Sequence, residues 1–298
     1  MPMKKRNVGI LGLGIMGSAM AANLVRAGFK VFGYDPVAAC RSRHRKAGGV
    51  VAESAREVPG LAGILITSLP SAKALSQVVD EILLSGKSKQ IVIEASTLPI
   101  AVKEAARRRL AAAGITLLDC PLSGTGAQAR VKDLIVYASG ERAAFKKTIP
   151  VLNGFSRAHY FVGKFGNGSK MKFAANLLVA IHNVSTAEAV ILARRSGLDA
   201  ALAVKVLGDG AGASRMLQVR GPLMVRRSYL PATVTNETWR KDMKIIGEFV
   251  RSLKSPAPLF SATKAIYDSA MAQGYARADT AAVCAVLERR ALRTSRQR

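Results

Sequence analysis

A chain of 298 residues with 49% hydrophobic side chains is long enough for about two domains with sizeable cores. Lys+Arg 45 against Asp+Glu 19 gives a formal net charge of +26, a surface that attracts polyanions and steers anionic ligands without naming a partner. Cys40, Cys120 and Cys284 form no CxxC or His/Cys pattern, so neither a disulfide framework nor a metal site is expected.

The most apolar stretch, Met171 to Ala193, is interrupted by Lys172, Asn176, His182, Asn183 and Glu188, and no membrane span is expected. The basic residues at the start lead into an apolar run that already carries glycines. That reads as a strand rather than an export signal, and the expected location is cytoplasmic.

The run from Val8 to Leu11 is the first strand. It meets Gly12-x-Gly14-x-x-Gly17, an amphipathic segment closes at Gly28, and a second apolar run, Lys30 to Tyr34, ends on Asp35. Three glycines alone are weak evidence. Strand, glycine turn, helix, strand and terminal carboxylate in that order, with Asp35 18 residues past Gly17, are the signature of a dinucleotide-binding unit. Gly12 permits the tight turn, Gly14 lets a pyrophosphate approach the backbone, and Gly17 lets the helix pack on the sheet. The amides and dipole at the helix start favour a diphosphate, which makes Gly12, Leu13, Gly14, Ile15, Met16 and Gly17 the candidate cofactor contacts. Asp35 accepts hydrogen bonds from the adenosine ribose and repels a 2′-phosphate, favouring NAD. The basic cluster Arg41 to Lys46 keeps NADP possible.

The alternation continues with a helix (Val37 to Lys46), a short strand (Gly49 to Ala52), a helical turn, and an apolar run (Ala62 to Leu69) ending at Pro70. Next come a helix (Ala72 to Leu84), a strand (Gln90 to Glu94), a helix opened by Pro99, and a strand (Thr116 to Asp119). Leu134 to Ala138 and Ala158 to Val162 read as strands around a helix from Arg142 to Leu152. Such alternation predicts a doubly wound parallel α/β sheet. From Ser169 onward the apolar residues recur at helical spacing, broken near Leu207 to Gly212 and Ser228 to Ala232, so the second domain is expected to be all helical. The domains are taken as 1–164 and 165–298, with the first long helix joining them. Basic clusters at Arg107 to Arg109, Arg226-Arg227 and Arg289 to Arg298 fall on predicted helices with little aromatic interleaving. They read as solvated faces, and no specific nucleic-acid partner is expected.

A dinucleotide domain followed by a helical one places a site at the carboxyl ends of the strands. Three strand-end loops supply polar residues there: Ser68 to Ser71, Glu94 to Thr97, and Asp119 to Gly126. GLGIMGSAMAANL, EASTLP, DCPLSGTGAQA, GNGSKMKFAAN and WRKDMKI follow in order over essentially the whole chain. In these five stretches the sequence resembles the β-hydroxyacid dehydrogenases, the family of 3-hydroxyisobutyrate dehydrogenase and tartronate semialdehyde reductase.

The resemblance implies NAD(P)-dependent interconversion of a small 3-hydroxy acid and its semialdehyde, a Rossmann domain followed by an all-α domain, and a homodimer or homotetramer. It places the catalytic lysine at Lys172 and its asparagine at Asn176, one helical turn apart on one face. That pairing makes chemical sense, because reduction of an aldehyde carbon leaves an alkoxide that needs a proton and a donor. The resemblance also makes Ser123, Gly124 and Thr125 the substrate-carboxylate loop, with Thr125 standing where the family has glycine. Leu69, Pro70, Thr97 and Lys241 become further cofactor contacts, and Asp242 a buttress for Lys241. Ala175 replaces a family asparagine, and Asp35-Pro36 stands where many family reductases have Asn-Arg. Imine reductases, 6-phosphogluconate-type dehydrogenases and basic non-enzymatic relatives that have lost the lysine are the rival readings. Arg215 remains open between recognition of a substrate group and a solvated helix start.

Overall fold

The computed structural model describes residues 7–296, with side chains to residue 290, so nothing is described of most side chains in the basic tail. Contacts divide the chain into Met1–Lys172 and Phe173–Arg298. The boundary falls inside a helix.

In the first unit β1 (Asn7–Leu11), α1 (Ile15–Arg26), β2 (Lys30–Tyr34), α2 (Ala38–Lys46) and β3 (Val50–Val51) come first. Then follow α3 (Val58–Leu61), β4 (Ile64–Thr67), α4 (Ala72–Leu84), β5 (Ile91–Glu94), α5 (Ile100–Ala112) and β6 (Thr116–Asp119). The six strands form one parallel sheet in the order β3-β2-β1-β4-β5-β6. This is the doubly wound arrangement expected from the alternation, with the order reversing beside β1. The strands read as unbroken apolar runs because helices cover both faces, and Val8, Ile10, Leu65, Ile66 and Ile93 are wholly buried.

The remaining strands do not extend that sheet. β7 (Leu122–Ser123), β8 (Ile135–Ala138) and β9 (Ala158–Phe161) make a separate three-stranded sheet, with β7 antiparallel to β8, and α6 (Gly126–Arg130) and α7 (Arg142–Phe155) lie between them in sequence. β7 and α6 were not anticipated, because a two-residue strand and a five-residue helix leave no readable period.

α8 (Asn167–Arg195) begins in the first unit and runs on as the first helix of the second. Its 29 residues are long and apolar enough to cross a membrane, against expectation. Its polar side chains have protein partners, however. Asn183 is wholly buried and donates to Tyr267 Oη and the Thr280 carbonyl, as a core helix requires. The second unit continues with α9 (Ala200–Asp209), α10 (Arg215–Arg226), α11 (Asn236–Ser252), α12 (Pro258–Ala272), a 3₁₀ turn (Thr280–Ala282) and α13 (Val283–Arg296). Asp199, Ser214 and Thr235 cap α9, α10 and α11 by accepting a backbone N–H, and the last two caps explain why α10 and α11 start after the two sequence breaks.

Candidate active site

At the carboxyl end of the main sheet Tyr34, Leu11, Thr67, Glu94 and Asp119 stand opposite one another on successive strands. The loops leaving this row carry most of the predicted site residues.

In the first loop, Gly12 has φ +95°, and a Cβ there would lie 2.3 Å from the Ser68 carbonyl oxygen. A Cβ on Gly17 would lie 1.9 Å from the Gly12 carbonyl oxygen. Both glycines are dictated by packing. Gly14 differs, since nothing lies within 4 Å of its Cβ position and, as the N-cap of α1, it brings no side-chain acceptor to the first-turn amides. That combination leaves the helix start open to a diphosphate. Asp35 follows β2, with Oδ2 accepting from Leu13 N at 2.8 Å and Oδ1 from Val37 N at 2.8 Å. The residue is 8% exposed, and each carboxylate oxygen keeps a further lone pair for an outside donor. Arg41 donates to the carbonyls of Asp35 and Pro36 at 2.7 and 2.9 Å and lies over the Tyr34 ring. Its Nη1 and guanidinium face are therefore engaged with protein groups. These residues fit a dinucleotide.

His44, from the same basic cluster, is a structural residue. It is 2% exposed, its ring lies 3.3 Å from the Val31 carbonyl, and it fills the space that a side chain on Gly33 or Gly49 would need. Burial lowers its pKa from the ordinary 6.5.

Leu69 donates its amide to Ser96 Oγ at 2.8 Å, and Ser96 in turn donates its amide to Glu94 Oε1 at 3.0 Å, tying the β4 and β5 loops together next to Thr97. Pro70 is exposed on its loop. After β6 the chain passes through Cys120, whose thiol burial and the adjacent Asp119 push far up, which removes it as a nucleophile. Ser123 lies in β7, half-buried, and Gly124 follows at φ +133°, where a Cβ would meet Leu134 at 2.6 Å. Thr125 takes a different part from its neighbours. It caps α6, accepting from Gln128 N at 3.5 Å while its own amide donates to Gln128 Oε1 at 3.0 Å, a reciprocal capping box. Its amide is engaged there and its hydroxyl oxygen serves as the cap acceptor, a commitment that Ser123 and Gly124 do not share.

Lys172 and Asn176 lie along α8 at 8% and 4% exposure. Within the second unit Asn176 Nδ2 donates to Asp242 Oδ2 at 3.1 Å, and Lys241 Nζ lies 3.2 Å from Asp242 Oδ1. Asp242 is shared between Lys241 and Asn176. Arg215, exposed at the start of α10, contacts Gln218.

The sequence reading missed a cluster beneath the strand ends. Lys103, Glu94 and Asp119 have wholly buried side chains, with Lys103 Nζ 2.6 Å from Glu94 Oε2 and 2.8 Å from Asp119 Oδ1. One signal was available. Lys103 shares the buried stripe of α5 with Ala106 and Leu110, and a lysine on such a stripe needs a carboxylate partner. Among the described residues no cluster of His, Cys, Asp and Glu could hold a metal ion.

Comparison with known proteins bears on the fold and the cofactor class. Residues 7–163 match the family described as the NAD binding domain of 6-phosphogluconate dehydrogenase. Residues 166–287 match the NAD-binding domain of NADP-dependent 3-hydroxyisobutyrate dehydrogenase. L-threonate dehydrogenase of Cupriavidus necator is 31% identical over 282 residues, covering 93% of this chain and 95% of that protein. Glyoxylate/succinic semialdehyde reductase 1 of Arabidopsis thaliana is 30% identical over 282 residues, covering 93% and 96%. The crystal structure of 3-hydroxyisobutyrate dehydrogenase from Salmonella typhimurium superposes with a TM-score of 0.85 at 30% identity, covering 95% of this chain and all of that one.

Fold, glycine loop and matches together define an oxidoreductase that binds NAD(P). More narrowly, the chain belongs to the β-hydroxyacid dehydrogenase family and is an NAD(P)-dependent 3-hydroxy acid dehydrogenase.

Proposed function

We propose that Lys172 is the general acid and base of this dehydrogenase and that its substrate is a small, hydroxylated 3-hydroxy acid of the threonate and glycerate type. Bound nicotinamide supplies or accepts the hydride. The chain's own task is to hold the acid and move one proton at its 3-hydroxyl oxygen. In oxidation Lys172 Nζ takes the hydroxyl proton, and in reduction it returns it. Asn176, a turn further along α8 and held by Asp242, orients the reacting oxygen or the ammonium. Ser123 and Gly124 hold the carboxylate. The observation that carries the reading is a lysine only 8% exposed at the start of a helix whose first turn is hydrogen-bonded to the strand-end row. The polyhydroxylated substrate class is supported by the likeness to L-threonate dehydrogenase.

The test is steady-state oxidation of 3-hydroxyisobutyrate, glycerate, L-serine and L-threonate with NAD and with NADP. Lys172→Ala is expected to lose about 10² to 10⁴-fold in kcat while NADH binding, followed by fluorescence, is kept. Lys172→Arg fails nearly as badly, because a guanidinium does not cycle its proton near neutral pH. Wild-type turnover by the alanine variant on a good substrate sinks the assignment. In this reading NAD is the preferred cofactor, with Asp35 taking the ribose hydroxyls while Arg41 stays with the Asp35 and Pro36 carbonyls. A preference for NADP of about tenfold or more, roughly 1.4 kcal/mol, overturns that part alone.

The proposal includes self-association. Leu198, Leu202 and Val206 recur every fourth residue into α9 and are 62%, 59% and 59% exposed, an apolar stripe suited to a second copy of the chain. Light scattering should give a dimer or tetramer that Leu202→Glu weakens. A monomeric wild-type chain at micromolar concentration would rule this out.

A further inference from the structure

Lys103 is the largest of the wholly buried side chains among the described residues. It stands between two carboxylates that face each other across adjacent strands, Glu94 opposite Asp119. The cluster holds one cation and two anions, and burial of an excess negative charge requires further donors. They are present, and their identity is informative. Asp119 Oδ1 accepts from Ser169 Oγ at 2.9 Å and Oδ2 from Ser169 N at 2.8 Å, and Ser169 belongs to the first turn of α8. The positive end of that 29-residue helix adds to the same compensation. Glu94 Oε1 accepts from Ser96 N, whose hydroxyl holds Leu69 N. Next to Ser169, Gly168 donates to Ser139 Oγ at 2.9 Å, and a Cβ on Gly168 would lie 2.4 Å from the Tyr137 carbonyl oxygen and 2.6 Å from that of Asp119. The start of α8 is thus seated on backbone with no slack. Each arm of the cluster ends beside a residue of the proposed site.

We propose that Lys103 is a positioning residue: by holding Glu94 and Asp119 apart as anions it fixes, through Ser169, the helix turn that carries Lys172 and, through Ser96, the loop that carries Thr97. This rests on the reading of Lys172 as the proton carrier. Burial by itself would push the Lys103 ammonium down, but the two carboxylates outweigh it and hold the group above the ordinary lysine value, so the cation is permanent. Without it, two buried carboxylates at facing positions repel each other or one takes up a proton and becomes a donor, and either change rearranges the arm to Ser169 or the arm to Ser96.

The experiment compares the full-length wild type, Lys103→Met, the double variant Lys103→Met/Glu94→Gln, and Arg220→Met, which loses a buried cation far along the chain in the other unit. Turnover uses the same four hydroxy acids, and hydrogen exchange without substrate follows residues 95–99 and 166–173. Lys103→Met is expected to lower kcat by about 10 to 100-fold, the scale of a small misplacement, with little change in the KM for the cofactor and with faster exchange in both segments. The double variant removes the repulsion as well as the cation, so it should recover part of the lost kcat and of the protection at 166–173. Arg220→Met should change neither. The proposal is overturned if Lys103→Met retains kcat and protection, if Arg220→Met lowers kcat as much, or if adding Glu94→Gln only deepens the loss. Should Lys103→Met not fold, protection at 166–173 in the double variant decides, and its absence overturns the proposal. Should the wild type oxidise none of the four acids, the functional reading fails, while the exchange data still decide whether Lys103 holds the two segments.

Discussion

The α/β unit and the helical unit each bury an ion cluster, and the two clusters are connected to different things. In the helical unit Arg220 Nε donates to Asp279 Oδ1 at 3.2 Å, with side-chain exposures of 3% and 0%. The charges balance. Asp279 also accepts from Ala281 N at 3.0 Å, Thr233 N at 2.8 Å and Thr233 Oγ1 at 2.7 Å, so it pins the 3₁₀ turn to the segment entering α11. Apart from Arg220 in α10, its partners lie in connections between helices. In the α/β unit the cluster carries a net negative charge, and its spare oxygens receive donors from α8 and from the loop of Thr97. Desolvating charges is costly in both places, and hydrophobic replacements of similar volume often do as well. What each cluster contributes is therefore a fixed geometry, of the chain path in one case and of the proposed catalytic groups in the other.

The sharpest way to break this contrast is to remove each cation in turn. Arg220→Met strands Asp279 in the interior and should destabilise the helical unit by about 3–5 kcal/mol, read as a lower denaturant midpoint. The molecules that remain folded should keep kcat within about twofold, since no interaction made in the transition state has been touched. Lys103→Met should show the opposite balance, with the larger effect on kcat. If the two variants lose turnover in the same proportion as they lose stability, the clusters do not differ in kind.

The same contrast explains what could be read from the sequence. The main sheet was legible because each strand is an apolar run closed by a turn and because Gly12, Gly14 and Gly17 meet separate demands, two from packing and one open toward a ligand. The helices of the second unit were legible from period and from breaks that Ser214 and Thr235 turn into caps. Thr125 carries a second part that the loop motif did not suggest. Gln128 three residues later signals a capping box, and the structure shows that box. Lys103 was hidden for another reason. The α5 stripe hints at its burial, but its partners follow only from the register that sets Glu94 beside Asp119, a pairing of residues 25 apart that no local pattern reveals.

A smaller effect separates the units by pH. Asp279 is raised by burial but lowered further by Arg220 and by the Thr233 and Ala281 donors, so its folded pKa lies below the ordinary 3.8. A lowered carboxylate contributes stability that is present above 3.8 and lost as pH falls through the folded value, which puts failure of this cluster at strongly acid pH. Lys103 has the reverse sign. Its folded pKa is above the ordinary 10.5, so its contribution is present below 10.5 and lost only as pH rises beyond it. His44 gives the α/β unit an acid weakness of its own, because a histidine buried neutral loses its contribution as pH falls below 6.5 toward its lowered folded value. Acid should therefore loosen the α/β unit first and the helical unit later. The single tryptophan, Trp239, is 5% exposed in the helical unit and reports on that unit by fluorescence, while hydrogen exchange over residues 30–51 reports on the His44 layer. Between pH 6.5 and the range below 3.8, exchange at 30–51 should quicken while Trp239 emission stays native, and His44→Gln should flatten that first phase only. Loss of the Trp239 signal in step with exchange at 30–51 would mean that the two units share one acid transition, and the separation drawn between their buried charges would not extend to stability.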